Sequence, residues 1–310
     1  MSGALTQVGP ILAEAAAAVG GSSLFLVGGA VRDRLLGRPP IDVDLVASGP
    51  DAVSFSGRLA GRRGWTLVAA HAAFGTARLT APGGGRVDVA VARSETYTRP
   101  GALPTVVLGA TIADDLARRD FTIHAMAEPV GEGGELGPLI DPFGGRRDTT
   151  TGLLRLLHRG SLSDDPTRAI RAAQYGARFS FQVEERSFCE ALAPSRASGA
   201  WRSISGDRLR RALSELLGEP AWYPGVGLLF DLGIPPLVEP SWTARPAAVP
   251  PADVPLDLRW RFVLSSQNGA TRRAIADRLT FPRRLRLAAE VPSRGEGPRK
   301  RSQTSQGSQA

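Results

Sequence analysis

The segment LFLVGGAVRD, residues 24–33, decides the fold of the N-terminal part of this 310-residue chain. Its four leading apolar residues predict a buried strand, and the residues after the glycine pair predict a helix over Ala30–Leu36. Glycine lets the backbone approach a ligand closely, and free N–H groups at a helix N-terminus bind phosphate. The segment therefore predicts either a phosphate site at Gly28 and Gly29, within reach of Arg32, or a tight strand-to-helix turn alone.

A pair of aspartates, Asp42 and Asp44, follows on a strand predicted over Ile41–Val46. Residues i and i+2 of a strand project from the same face, so we expect the two carboxylates side by side. Such a pair repels unless a cation joins it, and Mg²⁺ accepts one or two carboxylates together with substrate phosphates. Alone, the pattern is more typical of a solvated strand. After a glycine turn, it makes Asp42 and Asp44 the candidate catalytic and metal-binding residues.

The pattern of apolar residues changes near residue 150, from mixed strand and helix signals to helical periodicity. We therefore predict an α+β fold, in which an N-terminal head with a small mixed sheet and helices precedes an all-α neck and body. A stretch rich in Pro and Ala over 235–256 predicts a linker or long loop. The predicted divisions are a head over 1–150, a helical neck over 151–218, a partial helical body over 219–290 and a disordered basic tail over 291–310.

Charge and cysteine content narrow the class of protein. The chain has 38 Lys and Arg against 30 Asp and Glu, and this net charge of +8 favours a polyanionic partner. Cys189 is the single cysteine, which excludes a disulfide within the chain and fits a reducing cytoplasm. We expect it to be buried on a helix. No apolar run is long enough to cross a membrane, and nothing in the sequence indicates an obligate protein partner.

Two segments, GGAVRD (28–33) and DVDL (42–45), resemble the head domain of class II tRNA nucleotidyltransferases and bacterial poly(A) polymerases. These families belong to the polymerase-beta-like nucleotidyltransferase superfamily. A third segment, DLARRDFTIHAMA (115–127), is similar to the family's RRDFT segment. The resemblance implies that Arg119 and Asp120 contact the phosphates and ribose of an incoming nucleotide.

The segment SDDPTRAIRAAQYGARFSF (163–181) resembles the family's neck motif, which reads the nucleotide base. Asp165 suits the N-cap of a helix that starts at Pro166, and Arg168 and Arg171 follow at spacings of three residues. Aspartate offers only acceptors and arginine only donors, a combination that matches cytosine and adenine and rejects uracil and guanine. The resemblance thus assigns all three charged residues to nucleotide binding, whereas the alternative is a helix cap with Arg168 as its ion-pair partner.

Four other positions bear on the resemblance. The family usually has Asn at the position of His124, which we interpret as a core histidine bonded to a backbone carbonyl. Asp88 lies on a strand predicted over Val87–Val91, where it would either join the metal site as a third carboxylate or support neighbouring arginines. Asp207 and Arg208, in a segment similar to a neck helix of the family, are expected to hold the neck against the head.

The resemblance implies a template-independent RNA nucleotidyltransferase that adds CMP and/or AMP to tRNA 3′ ends, with release of pyrophosphate. Its substrates would be CTP, ATP and the RNA 3′ end, its cofactor Mg²⁺, and its location the cytoplasm. The sequence leaves open addition of CC only, of A only, or of poly(A). It also leaves open a catalytically impaired RNA-binding remnant.

Overall fold

The computed structural model describes residues 3–40, 42–247 and 254–290, and the tail predicted over 291–310 lies outside them. The strands are β1 (Ser23–Val27), β2 (Val43–Ser48), β3 (Thr66–His71), β4 (Thr76–Thr80), β5 (Arg86–Val91), β6 (Arg93–Thr96), β7 (Thr105–Leu108), β8 (Ala127–Val130), β9 (Leu153–Leu154) and β10 (Gln182–Val183). The helices of the sheet-bearing part are α1 (Gly3–Val19), α2 (Gly29–Leu35), α3 (Phe55–Ala60), α4 (Ile112–Ala117) and α5 (Gly145–Thr151).

Ten further helices follow in the described part of the chain. They are α6 (Ser161–Asp164), α7 (Thr167–Phe179), α8 (Glu185–Ala197), α9 (Ala200–Ser203), α10 (Gly206–Gly218), α11 (Trp222–Asp231), α12 (Pro235–Val238), α13 (Leu256–Leu264), α14 (Gly269–Arg278) and α15 (Arg283–Glu290). None of the described helices is long and apolar enough to span a membrane. The predicted α+β fold class is confirmed, because a mixed sheet comes first and helices dominate afterwards.

Six strands form the main sheet, in the order β3-β4-β5-β2-β1-β8. Strands β2 and β5 are parallel, and the other neighbouring pairs are antiparallel. The register places Asp44 opposite Asp88 and Asp88 opposite Arg78. Since register partners share a face, these three side chains form one row across three strands.

One face of this sheet is buried beneath α1 and α3. Every second residue of β2, β4 and β5 points into this core, as the two-residue period of a strand requires. Leu12 of α1 and Leu59 of α3 pack against them. The sheet residues of this core are at most 6% exposed, and they are Leu24, Leu26, Val43, Leu45, Ala47, Ala77, Leu79, Val87, Val89 and Val91.

The opposite face of the sheet has two unlike halves. In the half that we call the covered half, Phe25, Val27 and Val46 of β1 and β2 pack against Leu116 of α4 and Ala125. In the half that we call the open half, β5, β4 and β3 carry polar side chains that line a cleft. These are Arg86 and Asp88 of β5, Thr76 and Arg78 of β4, and His71 of β3.

The helical part has a hydrophobic core of its own, in which α7, α10 and α11 pack side by side. Trp242 is fully buried in it, and residues 235–238 form a helix. The prediction of a linker or long loop over 235–256 is therefore wrong for residues 235–238, whereas the described residues 239–247 lie in neither a helix nor a strand. Cys189 is also exposed rather than buried, because its neighbours on α8, Phe188 and Leu192, are the ones that face the core.

The sheet part and the helical part meet beside the open half. Arg208 of α10 donates from Nη1 to the carbonyl of Gly101 (2.7 Å), and Gly101 N–H donates to the carbonyl of Ser163 (2.8 Å). The expected bridging by Arg208 is confirmed. Asp207 instead accepts hydrogen bonds from Arg210 and Thr280, so its expected contact with the head is wrong. These bonds leave a cleft between the two parts.

Candidate active site

The two aspartates of the DVD segment lie where β2 begins, on the face that the cleft exposes. Burial raises the pKa of Asp44 to about 6; Arg119 opposes this rise, while Asp88 and Asp42 add to it. Asp42 forms an ion pair with Arg86 (Nη1 to Oδ2, 3.4 Å). Burial therefore disfavours the charged form of the Asp44 carboxylate, and a bound cation would stabilise that form.

The glycine pair forms the strand-to-helix turn beside these carboxylates. Gly28 has φ of +64°, a left-handed conformation that disfavours other residues. A Cβ at this position would also lie 2.8 Å from Nη1 of Arg119. At Gly29 a Cβ would lie 3.6 Å from an Asp44 carboxylate oxygen, an ordinary contact. The backbone of this turn thus faces both an arginine and an aspartate, an arrangement that suits a phosphate group with its metal.

Arg119 is held in place by Asp115, a residue that the sequence reasoning missed. Asp115 is fully buried and accepts hydrogen bonds from Nη2 of Arg119 (2.8 Å) and Nη2 of Arg118 (2.6 Å). Arg119 also donates from Nη1 to the carbonyl of His124 (3.1 Å). Burial alone would raise the pKa of Asp115, but the two arginines outweigh it and lower that pKa. The carboxylate is therefore charged and fixes Arg119 against the glycine turn.

His124 joins three parts of the site and does not bond a backbone carbonyl through its ring, contrary to the sequence interpretation. Its Nδ1 lies 3.0 Å from Oδ1 of Asp120, and its Nε2 lies 2.6 Å from Nη1 of Arg32. Its ring also packs edge-on against Tyr175 of α7, with centroids 4.8 Å apart. Burial lowers the pKa of His124, so the ring is neutral, with Nδ1–H donating to Asp120 and Nε2 accepting from Arg32.

Arg32 lines the cleft, and several of its N–H groups bond to side chains of the protein. It is 5% exposed, and its Nε and Nη2 donate to Oδ1 of Asp33 at 2.9 and 2.8 Å. The guanidinium also lies 4.2 Å from the ring centroid of Phe179, a cation–π contact with the end of α7. This arrangement ties α2 to α7, and Nη2 and Nη1 of Arg32 also lie 3.5 and 3.8 Å from the position of a Cβ at Gly29.

The charged residues of the neck motif form a chain of ion pairs with Asp120. Arg171 contacts Asp120 (Nε to Oδ2, 3.1 Å) and Asp165 (Nη2 to Oδ2, 3.7 Å), and Arg208 contacts Asp165 (Nη2 to Oδ1, 3.1 Å). Burial alone would raise the pKa of Asp165, but these arginines and the hydrogen bond from Thr167 lower it. Asp165 is therefore an ionised acceptor at the cleft wall.

The expected pairing of Asp165 with Arg168 is not what the structure contains. Arg168 is 4% exposed and donates to Ser161 Oγ (2.7 Å) and to the carbonyl of Arg118 (2.8 Å). The N-cap of α7 is Pro166 rather than Asp165, and the helix begins at Thr167, one residue later than predicted, although Oδ1 of Asp165 accepts from Thr167 N–H (3.0 Å). Arg168 therefore braces α7 against the sheet part, and Arg171 takes the place beside Asp165.

One cleft of about 1140 Å³ brings the predicted site residues together between the sheet part and the helical part. Its walls carry the carboxylates of Asp42 and Asp44 and the ion-pair chain Asp120–Arg171–Asp165–Arg208, which we call the acid–arginine chain of α7. The predicted residues that line it are Gly28, Gly29, Arg32, Asp42, Asp44, Asp88, Arg119, Asp120, Asp165, Arg168 and Arg171.

Known proteins are similar to this chain in sequence and in structure over most of its length. Residues 24–155 match the poly A polymerase head domain. The chain is 30% identical over 292 residues to the CCA-adding enzyme of Pseudomonas putida. These residues are 88% of this chain and 73% of that enzyme. The chain belongs to the CCA-adding tRNA nucleotidyltransferase family. A solved apo form of a CCA-adding enzyme agrees with this membership, at a TM-score of 0.74 and 30% identity, covering 92% of this chain and 70% of that one.

Other members of the tRNA nucleotidyltransferase family are more alike over a shorter part. The A-adding tRNA nucleotidyltransferase of Halalkalibacterium halodurans is 43% identical over 213 residues, which is 68% of this chain. The present chain spans about half, 49%, of that relative's length.

The cleft of this family member contains residues that the sequence reasoning did not select. Tyr175 and Arg178 follow Arg171 on one side of α7, at the four- and seven-residue spacing that keeps helical residues on one face. That spacing was the signal that could have found them. Glu219, which binds Arg178, comes from the end of α10, and no local pattern indicates that contact.

Proposed function

We propose that the protein is a template-independent RNA nucleotidyltransferase that adds CMP and/or AMP to the 3′ end of tRNA and releases pyrophosphate. One observation carries this proposal: the carboxylate pair of β2, the Gly28–Gly29 turn and the acid–arginine chain of α7 face one cleft. The names of the relatives, A-adding and CCA-adding, support the same reaction class. The proposal includes the division at residues 150, 218 and 290 and a cytoplasmic location, which the single cysteine favours.

The phosphate end of the nucleotide is proposed to lie at the glycine turn. The backbone of Gly28 and Gly29 would hold the triphosphate, because a side chain at Gly28 would meet Arg119. Arg119 supplies positive charge to the phosphates, and Asp120 accepts from the ribose. Arg32 is proposed to reach the phosphates through the N–H groups of Nη1 and Nη2 that do not bind Asp33 or His124.

Nucleotidyltransferases generally depend on a metal ion, and Mg²⁺ is the ion proposed for this site. Asp42 and Asp44 fit it, because both offer carboxylate oxygens and burial beside other acids raises the pKa of Asp44. Among the described residues, no group of three or more His, Cys, Asp or Glu side chains could hold a metal. The protein would therefore supply two carboxylates, and oxygen atoms of the substrate phosphates would complete the coordination of the ion. Bound there, the ion would neutralise the phosphates and polarise the attacked phosphorus.

The side chains of the cleft do the remaining work by positioning and charge. The RNA 3′-hydroxyl attacks the α-phosphate in line with the departing pyrophosphate, so no covalent nucleophile is needed. Arg119, fixed by Asp115, compensates the charge that develops on the leaving group. Burial of Arg32, Asp115 and His124 in the cleft walls limits the access of water there, which strengthens these interactions.

Base selection is assigned to Asp165 and Arg171. Cytosine and adenine both present an amino donor beside a ring-nitrogen acceptor, which an aspartate and an arginine can match. Arg171 lies 3.7 Å from Asp165, whereas Arg168 is bound to Ser161 and Arg118. The same pair rejects uracil and guanine, whose corresponding atoms have the opposite donor and acceptor roles.

A primer-extension assay tests the proposal. Purified protein receives tRNAs that end before CCA, after C and after CC, with CTP, ATP or both, with Mg²⁺ or with EDTA. Stepwise completion to CCA identifies the full activity, addition of CC or of A alone a partial one, and long A tracts a poly(A) polymerase. No product from folded protein in any condition contradicts the proposal and leaves an RNA-binding remnant. Extension that persists in EDTA contradicts the metal role of Asp42 and Asp44.

A further inference from the structure

The cleft continues past the carboxylates of β2 to the open half of the sheet. Its volume of about 1140 Å³ exceeds the ~300–1,000 Å³ of sites that hold one small ligand. On the far side from Asp165 and Arg171, its floor is formed by β5 and β4, with Arg86, Asp88 and Arg78. The cleft therefore has room for a second ligand next to the nucleotide.

The geometry of in-line attack on the α-phosphate indicates which ligand lies over the open half of the sheet. The attacking oxygen must approach the α-phosphate opposite to the leaving pyrophosphate. The proposed nucleotide site occupies the glycine turn and the α7 wall, on one side of Asp42 and Asp44. The RNA 3′ end must therefore come from the other side, along β5 and β4, and bring its own phosphates with it.

Arg78 and Arg86 give this side an anion-binding character. Both arginines donate hydrogen bonds to the carboxylate of Asp88: Nε of Arg78 is 2.8 Å from Oδ1, and Nη2 of Arg86 is 2.7 Å from Oδ2. Arg86 also lies 3.4 Å from Asp42, so two carboxylates balance the charge of the two guanidinium groups, and binding of an anion depends on the N–H groups that remain exposed. The arginine side chains remain 48% and 46% exposed, so they have donors free for a ligand in the cleft.

The same contacts show what Asp88 does. Its two oxygens accept four N–H groups of Arg78 and Arg86, within 2.7 to 3.4 Å. Burial alone would raise the pKa of Asp88, but these hydrogen bonds lower it. A metal ligand would need these lone pairs. Asp88 is accordingly an anchor for the arginines, although it lies in register with Asp44.

We infer that Arg78 and Arg86, anchored by Asp88, form a subsite for the backbone phosphate of the terminal nucleotide of the acceptor RNA. The inference rests on the proposed function. The row Asp44, Asp88, Arg78 spans two strand spacings, roughly 10 Å, so a phosphate at the arginines lies about one nucleotide from the carboxylates. Arginine forks bind phosphate in two-pronged geometry, which also orients the nucleotide whose hydroxyl reacts. Arg86 further contacts Asp42, linking this subsite to the reacting centre.

The test compares Arg78→Gln, Arg86→Gln and the double variant with Arg63→Gln, an exposed arginine outside the cleft. Steady-state addition of one nucleotide gives KM for tRNA and for the nucleotide. The double variant is expected to raise KM for tRNA about 10-fold or more, while nucleotide binding changes less than about 2-fold. The slope of log affinity for the RNA against log salt should fall by roughly 0.7, the share of one single-strand phosphate. Arg63→Gln should behave as wild type.

Two results would overturn the inference. One is an unchanged KM for tRNA in a folded double variant, and the other is an equal rise in KM for the nucleotide. Asp88→Asn provides a second test that separates an anchor from a metal ligand. An anchor raises KM for tRNA with a small fall in kcat, whereas a metal ligand loses roughly 10²-fold or more in kcat. Wild-type protein that binds nucleotide but extends no RNA would instead refute the proposed function, and the subsite with it.

Discussion

The covered half and the open half of one sheet face differ in what packs on them. In the covered half, Phe25, Val27 and Val46 meet Leu116 and Ala125 and exclude water. In the open half, Asp88 and its arginines meet the cleft. Both halves share one backbone architecture and one buried opposite face. The difference shows that the site lies on the part of the sheet face that α4 does not cover. Charged side chains remain ionised only where solvent or charged partners reach them.

The boundary between the halves runs through β2. Val46 belongs to the covered half, and Asp44, two residues earlier on the same face, belongs to the cleft. This step from apolar to polar explains why burial raises the pKa of Asp44 while the carboxylate still reaches the cleft. A site at such an edge is partly desolvated, which strengthens its hold on phosphates and metal.

The largest effect is expected from Asp44→Asn, which removes the charge at the boundary. Activity should fall by roughly 10³-fold or more, since a metal carboxylate is worth several kcal/mol in the transition state. The free energy of unfolding should not fall, because burial disfavours the charged carboxylate that Asn replaces. Single-turnover extension and urea unfolding at pH 7.5 measure the two quantities. Near-wild-type turnover, or a marked loss of stability, would show that Asp44 is a structural residue.

A smaller effect, on stability, separates the two halves directly. Phe25→Ala in the covered half should lower the free energy of unfolding by ~3–5 kcal/mol, because it opens a cavity in a packed cluster. Thr76→Ala in the open half faces the cleft and should change it by less than about 0.5 kcal/mol. Urea denaturation of both variants checks this. Equal losses would mean that the halves are packed alike.

The smallest effect concerns His124, which joins the sheet part to α7. Burial lowers the pKa of His124 although Asp120 raises it, and Arg32 and Arg119 lower it further. The unfolded chain therefore takes up a proton near pH ~6.5 that the folded protein does not, so this residue destabilises the fold as pH falls below that value.

His124→Asn should accordingly lower the free energy of unfolding by roughly 1–2 kcal/mol at pH 8, through loss of the contact with Arg32. The gap to wild type should narrow between about pH 6.5 and 5, because Asn does not titrate. Thermal or urea unfolding across this pH range provides the measurement, with Tyr175→Phe as a variant that keeps the ring contact without changing titration of the imidazole. A gap that stays constant with pH would contradict a neutral, buried His124.

Much of the fold and the members of the site could be predicted from the sequence. The strand over residues 24–27 and the glycine turn depend on neighbours in the chain, and the structure contains both. The strand predicted over Ile41–Val46 is instead Val43–Ser48, so Asp44 lies on it and Asp42 precedes it. Helix α10 starts at Gly206 because Ser205 caps it by accepting from Arg208 N–H, a pattern that neighbours in the chain supply. These features follow from local steric constraints, from the two-residue period of a strand and from helix capping.

The sequence by itself indicated many of the residues that line the cleft, because strand and helix periods decide which side chains of one element share a face. Only the tertiary structure decided which donor meets which acceptor. Arg168 binds Ser161 and Arg118 instead of Asp165, and His124 bonds Asp120 and Arg32 instead of a carbonyl. Arginine has a long side chain and several donors, so its partner depends on how elements distant in sequence pack, and no local pattern records that choice.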